Sequence, residues 1–141
     1  MFQDIKLEDK KYFDQFNYQD YIASELNFAN IYAWKDFDKL QIYKNNSMII
    51  IKGRDFFFPP MTTNTKDFVD AIFWIKDYCI ANNFPFSING VTNQMLPFLD
   101  GYNFKIYHNE NFDEYIYSSE SLINYSGKKY HAKRNFVNQF L

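Results

Sequence analysis

From Thr65 to Asn82 the apolar residues Phe68, Ala71, Ile72, Ile75 and Cys79 recur three or four positions apart. That spacing predicts a long helix with one buried face, and Asn64 stands where its N-cap belongs. Before it, KLQIYKN, SMIIIKG and RDFFFPP are short runs rich in β-branched and aromatic residues, separated by Asn45-Asn46 and by Gly53. They predict three antiparallel strands, the third ended by Pro59 and Pro60, which remove ladder donors. Nearer the N-terminus, MFQDI reads as a first strand. LEDKKYFDQFNY places Leu7, Phe13 and Phe16 among charges, as in a short amphipathic helix. SELNFANIYAW, with Ser24 as N-cap, reads as a second helix. After the long helix, FSING is a short strand, Thr92 caps a brief helix in NQMLPFLDG that Gly101 closes, and YNFKIYHN and NFDEYIYSS alternate as two closing strands. SSESLINYSG reads as one or two helical turns broken at Gly127, and YHAKRNFVNQFL begins a new helix.

Composition narrows this picture. A chain of 141 residues, 47% of them hydrophobic, is long enough for one domain with a single core, and no repeat, linker or low-complexity tract divides it. Aromatics reach 22%, with Phe, Tyr, Asn and Lys abundant in the manner of AT-biased coding, so a lone exposed ring carries no functional weight. The single cysteine, Cys79, lies on the apolar face of the long helix and reads as a buried, inert thiol in a reducing compartment. MFQDIKLEDKK lacks the order of a signal peptide, and no apolar run approaches the roughly 18 residues needed to span a bilayer, so a cytoplasmic location is expected.

Charge is segregated. Residues 126–141 hold Lys128, Lys129, Lys133 and Arg134 and no acid, a formal +4, whereas residues 1–125 hold eleven cations and seventeen acids, a formal −6. On a helix, Tyr130, Ala132, Phe136, Val137, Phe140 and Leu141 share one half, with His131, Arg134, Asn135, Asn138 and Gln139 opposite and Lys133 inside the apolar half. No Gly, Asn or Pro closes this helix before Leu141. It is expected to be part of a longer interdomain helix over 127–141, its apolar side made for a neighbour or for a second copy of the chain.

The element order resembles that of the GNAT acyltransferase fold, an α/β (α+β) domain whose mixed, mostly antiparallel sheet carries helices on both faces. SELNFANIYAW, FFFPP and above all FDEYIYSSESLINYSGKKYHAKRNFVNQF are similar to the phosphatidylglycerol lysyltransferase C-terminal domain-like family. The specific signature is G-K-K-x-H-x-K-R-N leading into F-x-N-x-F. The resemblance runs over essentially the whole chain but corresponds to the first half of uncharacterised bacterial proteins with two GNAT-type domains. It implies a missing second GNAT-type domain as partner. It also implies a role as the non-catalytic half of an aminoacyl- or acyltransferase, with acyl-CoA or aminoacyl-tRNA as donor for the intact protein and no cofactor for this half.

Specific chemistry is sparse. In GNAT acetyltransferases a glycine-rich turn before the long helix holds a pyrophosphate; here that place is PPMTTNTKD, which has no glycine, and Thr62, Thr63 and Thr65 read as local turn chemistry. His108 and His131 show no metal-ligand spacing, Asp113 and Glu114 would point to opposite faces of a strand, and Glu25 reads as an acid in a first helical turn. The candidate substrate or anion site is Lys128, Lys129, His131, Lys133 and Arg134, suited to the phosphates of a tRNA or an anionic lipid. The candidate interdomain or self-association face is Phe136, Val137, Phe140 and Leu141. Two other functions stay open at this point: a tRNA- or anionic-lipid-binding module acting through 128–134, and a stand-alone acyl-CoA-dependent N-acyltransferase.

Overall fold

The computed structural model describes residues 1–16, 24–110, 113 and 116–140. They form two compact units, Met1–Tyr107 and His108–Leu141.

The first unit is built on a four-stranded antiparallel sheet in the order β1 (Gln3–Asp4), β2 (Gln41–Lys44), β3 (Met48–Lys52) and β4 (Met61–Thr62). Asn45 makes the β2–β3 turn, its side-chain carbonyl accepting from the amides of Ser47 at 2.8 Å and Met48 at 3.0 Å. Three consecutive isoleucines in β3 are buried because the sheet is covered on both faces. Ile49 and Ile51 join Ile42 and Met61 on one side, packing with Phe13, Phe16, Leu26 and Ile31, whereas Ile50 joins Phe57, Ile75 and Cys79 on the other. Phe13, Phe16, Leu26 and Ile31 come from α1 (Lys10–Gln15) and α2 (Phe28–Trp34) with their flanks; Ile75 and Cys79 come from α3 (Thr65–Asn82), and Phe57 from the segment between β3 and β4. A mixed α/β domain with helices on both faces of its sheet is therefore observed.

Helix α3 follows its predicted pattern residue for residue. Its buried positions are Phe68, Ala71, Ile72, Ile75 and Cys79, Asn64 caps it by accepting the Asp67 amide at 2.9 Å, and Asn83 ends it in the left-handed region at φ 49°. Asn64→Ala is expected to lower stability by about 1 kcal/mol in chemical denaturation. A loss below 0.3 kcal/mol would show that Asp67 suffices at the helix start.

Several sequence expectations are corrected. The cap of α2 is Asn27, which accepts from the Asn30 amide at 2.9 Å; Ser24 instead offers its carbonyl to the side-chain amides of Asn27 and Asn30. With α2 starting at Phe28, Glu25 precedes the helix and lies outside its first turn. Leu7 is exposed in a 3-10 turn, Leu7–Asp9, and Asn17 and Tyr18 lie outside the described residues. RDFFFPP is not a continuous strand. Gly53 donates to the Phe56 carbonyl at 2.8 Å, closing a tight turn, and only Phe57 pairs, antiparallel with Lys52 and parallel with Ile88. Between the Lys52–Phe57 bridge and the Ile49–Met61 pair, three steps along β3 face four along the other segment, a bulge at buried Pro59 and Pro60. FSING is correspondingly reduced to that single bridge at Ile88, held by the Phe57 amide on the Ser87 carbonyl (2.8 Å) and the Asn89 amide on the Phe57 carbonyl (2.9 Å). Thr92 does not cap with its side chain: its hydroxyl is buried without a partner among the described residues, and the following helix is a 3-10 segment, Leu96–Leu99. Gly101 does supply a left-handed residue, at φ 82°. YNFKIYHN carries no strand; Phe104 anchors it against Phe73 and Phe86 while Ile106 and Tyr107 are exposed. NFDEYIYSS includes residues 111, 112, 114 and 115, which lie outside the described residues.

The second unit contains α4 (Ser119–Asn124), a 3-10 turn (Lys128–Tyr130) and α5 (His131–Phe140). Ser118 caps α4, accepting from the Ser121 amide at 3.1 Å, and Tyr125 ends it at φ 43°.

Candidate functional site

The basic segment is shaped by the junction between α4 and α5. Gly127, at φ 87°, turns the chain between the two helices, a conformation that favours glycine. Arg134 reaches back from α5 and donates through Nη1 to the carbonyls of Tyr125 and, at 3.0 Å, Gly127. The Tyr125 carbonyl is left over at the end of α4 and that of Gly127 opens the next turn, so Arg134 is engaged as a clamp on the junction. Tyr130 is buried beneath it, its ring 5.7 Å from that of Tyr125.

The other cations point outward. Lys128, Lys129, His131 and Lys133 are exposed. Lys129 Nζ lies 4.8 Å from the centre of the Tyr130 ring, and Lys133 Nζ lies 5.2 Å from that of Tyr117. Among the described residues none of the three lysines meets a carboxylate. The rings orient the ammonium groups without neutralising them. His131 Nε2 is 3.5 Å from the Asn135 side-chain amide, one turn along the helix. The structure thus brings Lys128, Lys129, His131 and Lys133 to one exposed segment and separates Arg134 from them by role.

No described residue of α5 is buried; Tyr130, buried, belongs to the 3-10 turn before it. Phe136 is 66% exposed and Phe140 92%, with Val137 also exposed; Leu141 lies outside the described residues.

The turn leading into α3 is occupied by its own side chains. Asp67 Oδ2 accepts from the Asn64 side-chain amide at 2.8 Å and from the Thr63 hydroxyl at 2.9 Å, and the Thr62 hydroxyl donates to the Asn64 carbonyl at 3.0 Å. A carboxylate therefore sits in the first turn of the helix, where the macrodipole favours an anion.

His108 Nε2 lies 2.9 Å from Asp113 Oδ1, with both side chains exposed, and Glu114 lies outside the described residues. Among the described residues no three His, Cys, Asp or Glu side chains gather as metal ligands. Cys79 is buried, its Sγ 3.5 Å from the Pro85 carbonyl, and desolvation raises its pKa, which disfavours the nucleophilic thiolate. Sequence reasoning missed one polar feature of the interior: the buried carboxylate of Asp9 pairs with Lys44 and accepts from the Lys6 amide at 2.8 Å. Asp9 and Lys44 are 35 positions apart, and no local pattern marks them.

Over residues 17–141 the chain matches the family described as phosphatidylglycerol lysyltransferase, C-terminal. It belongs to that family. Among solved structures, this phosphatidylglycerol lysyltransferase C-terminal family domain is similar to a conserved protein of unknown function from Bacteroides thetaiotaomicron VPI-5482, with a TM-score of 0.85 and 24% identity. The alignment covers 99% of this chain and 49% of the other, so the domain spans about half the length of that protein. At this identity the likeness speaks for the fold. No curated protein matches the family domain. No helix among its described residues is long and apolar enough to cross a membrane.

Proposed function

We propose that this chain is the first, non-catalytic half of a two-domain aminoacyl- or acyltransferase of GNAT-like fold, and that it supplies one wall of a substrate cleft shared with a second half. The observation that carries this reading is the 99% coverage of this chain against 49% of the solved Bacteroides protein, and the exposed apolar side of α5 supports it.

An acyl-CoA pyrophosphate does not fit the turn before α3. The side chains of Thr63 and Asn64 are already bonded to Asp67, whose carboxylate stands in the first helical turn, where it would repel a second anion. An acyl-CoA donor of the intact protein is accordingly assigned to the other half. Acetyl-CoA is expected to leave the thermal unfolding midpoint of this domain unchanged up to millimolar concentration. A saturable rise would contradict the assignment, because a ligand that binds the native state must stabilise it.

A second reading is favoured by the three exposed, unneutralised lysines. Lys128, Lys129 and Lys133 form a contact for a tRNA backbone or an anionic lipid surface, with His131 beside them. A stand-alone acyl-CoA-dependent N-acyltransferase is disfavoured by the same turn chemistry at α3.

A further inference from the structure

The run after Asn103 has the alternation of a strand and no strand beside it. Among the described residues no hydrogen bond engages the backbone of residues 104–107, which are neither helix, turn nor strand. The start of the run is nevertheless built. The Tyr102 amide donates to the Leu99 carbonyl at 3.4 Å, and Gly101 and Asn103 both take left-handed backbone, at φ 82° and 54°. Phe104 then packs on the cluster of Phe68, Ile72 and Met95, its ring 6.2 Å from Phe73, 5.8 Å from Phe86 and 6.3 Å from Tyr102.

Past this anchor the chain is open. Lys105 is exposed, Ile106 is 61% exposed and Tyr107 82%. In an extended run Phe104 and Ile106 share one side, so Ile106 continues the line of the anchor into solvent. A single exposed apolar residue is ordinary. Two of them on four residues of unpaired backbone are the marks of a strand that lacks its neighbour. The sheet of the same unit does not supply one: β1 to β4 pair with each other in order, and the bridge at Ile88 goes to Phe57.

The free backbone sets what can cover it. Successive donors and acceptors along an extended chain are matched by another extended chain, whereas a helix uses its backbone groups internally. Part of the ordering needed for docking is already in place, because the 99–102 turn and the Phe104 ring hold the start of the run.

We propose that residues 104–107 are an edge for strand addition, and that its occupant is an extended segment of the second half. The proposal rests on the two-half reading above: the part aligned with this chain is 49% of the solved Bacteroides protein, which therefore carries about as much chain again. It adds a main-chain contact, separate from the side-chain face of α5.

Hydrogen exchange read by mass spectrometry tests this on two proteins as they stand, this chain and the full-length Bacteroides protein. In this chain the amides of 104–107 are expected to exchange within about tenfold of the unstructured rate, and the aligned stretch of the Bacteroides protein to be protected about a hundredfold or more. Proline at the position of the Bacteroides protein aligned with Lys105 removes a ladder donor, and is expected to lower protection both there and in one segment of that protein's second half. Equal, fast exchange in the two proteins overturns the proposal. A loss of protection confined to the first half overturns the assignment of the occupant. In this chain Lys105→Pro is expected to leave the thermal midpoint within about 2 °C, since no bond is lost; a larger fall shows that the amide is already engaged internally and overturns the edge. The stretch aligned with α5 separates the two readings. If it gains protection in the Bacteroides protein and the stretch aligned with 104–107 does not, the two-half reading stands and the strand edge falls; if neither gains, both fall.

Discussion

Replacing Phe57 with Ala is expected to lower the stability of the domain by about 3–5 kcal/mol, seen as a lower denaturant midpoint with an unchanged slope. Phe57 has no exposed surface, and its ring lies 6.0 Å from that of Phe2, 6.1 Å from Tyr78 and 5.4 Å from Phe84. It is also the residue through which the sheet reaches Ile88 beyond α3. Alanine keeps the two backbone bonds to Ser87 and Asn89, so the loss reports packing: the removed ring plus the cavity left between Ile50, Ile75 and their neighbours. Phe37, 69% exposed, is the control and should change stability by less than about 0.5 kcal/mol when replaced by Ala. A loss below 1 kcal/mol at Phe57 would mean that the second core cluster is not packed as described.

The second large effect is expected on binding. Reversing three charges, Lys128→Glu, Lys129→Glu and Lys133→Glu, should weaken association with tRNA or with anionic vesicles at low salt by at least about a hundredfold. A lysine near an anionic surface contributes about 1 kcal/mol, and three are lost before any repulsion is counted. The thermal midpoint should stay within about 2 °C, since the three side chains are exposed and meet no carboxylate among the described residues. Arg134 is left in place because its guanidinium holds the α4–α5 junction, and its removal would confuse folding with binding. Equal binding by the wild type and the triple variant would remove the basic segment from any phosphate-contacting role.

Much of the fold was legible where local chemistry and burial agree. Helix α3 shows its cap and its buried face in the sequence because each depends on residues within a few positions: Asn64 with Asp67, Phe68 with Ile72. The β2–β3 turn was legible for the same reason, since Asn45 carries its own turn chemistry. RDFFFPP was misread because three aromatic residues in a row have strand propensity on any local scale. What interrupts the strand is the tight turn at Gly53 and the double proline, whose effect is felt only against β3. Ser24 and Asn27 are equally good cap residues. Only the geometry of Asn30 decides between them.

The candidate site divides in the same way. The basic run was visible as a run, but the sequence could not separate Arg134, satisfied by the carbonyls of Tyr125 and Gly127, from the lysines that remain unneutralised.

The apolar side of α5 is a surface that a second half would cover. Phe136, Val137 and Phe140 are exposed on a helix whose other side is polar, a surface that is unfavourable in water unless another domain or another copy lies against it. Light scattering across a concentration series measures this. The predicted result is a mass rising above 17.1 kDa with concentration for the chain alone, and a monomer throughout for the Phe136→Asp, Phe140→Asp variant with its thermal midpoint unchanged. A strict monomer at every concentration in the unmodified chain would contradict the claim that this face is built for a neighbour.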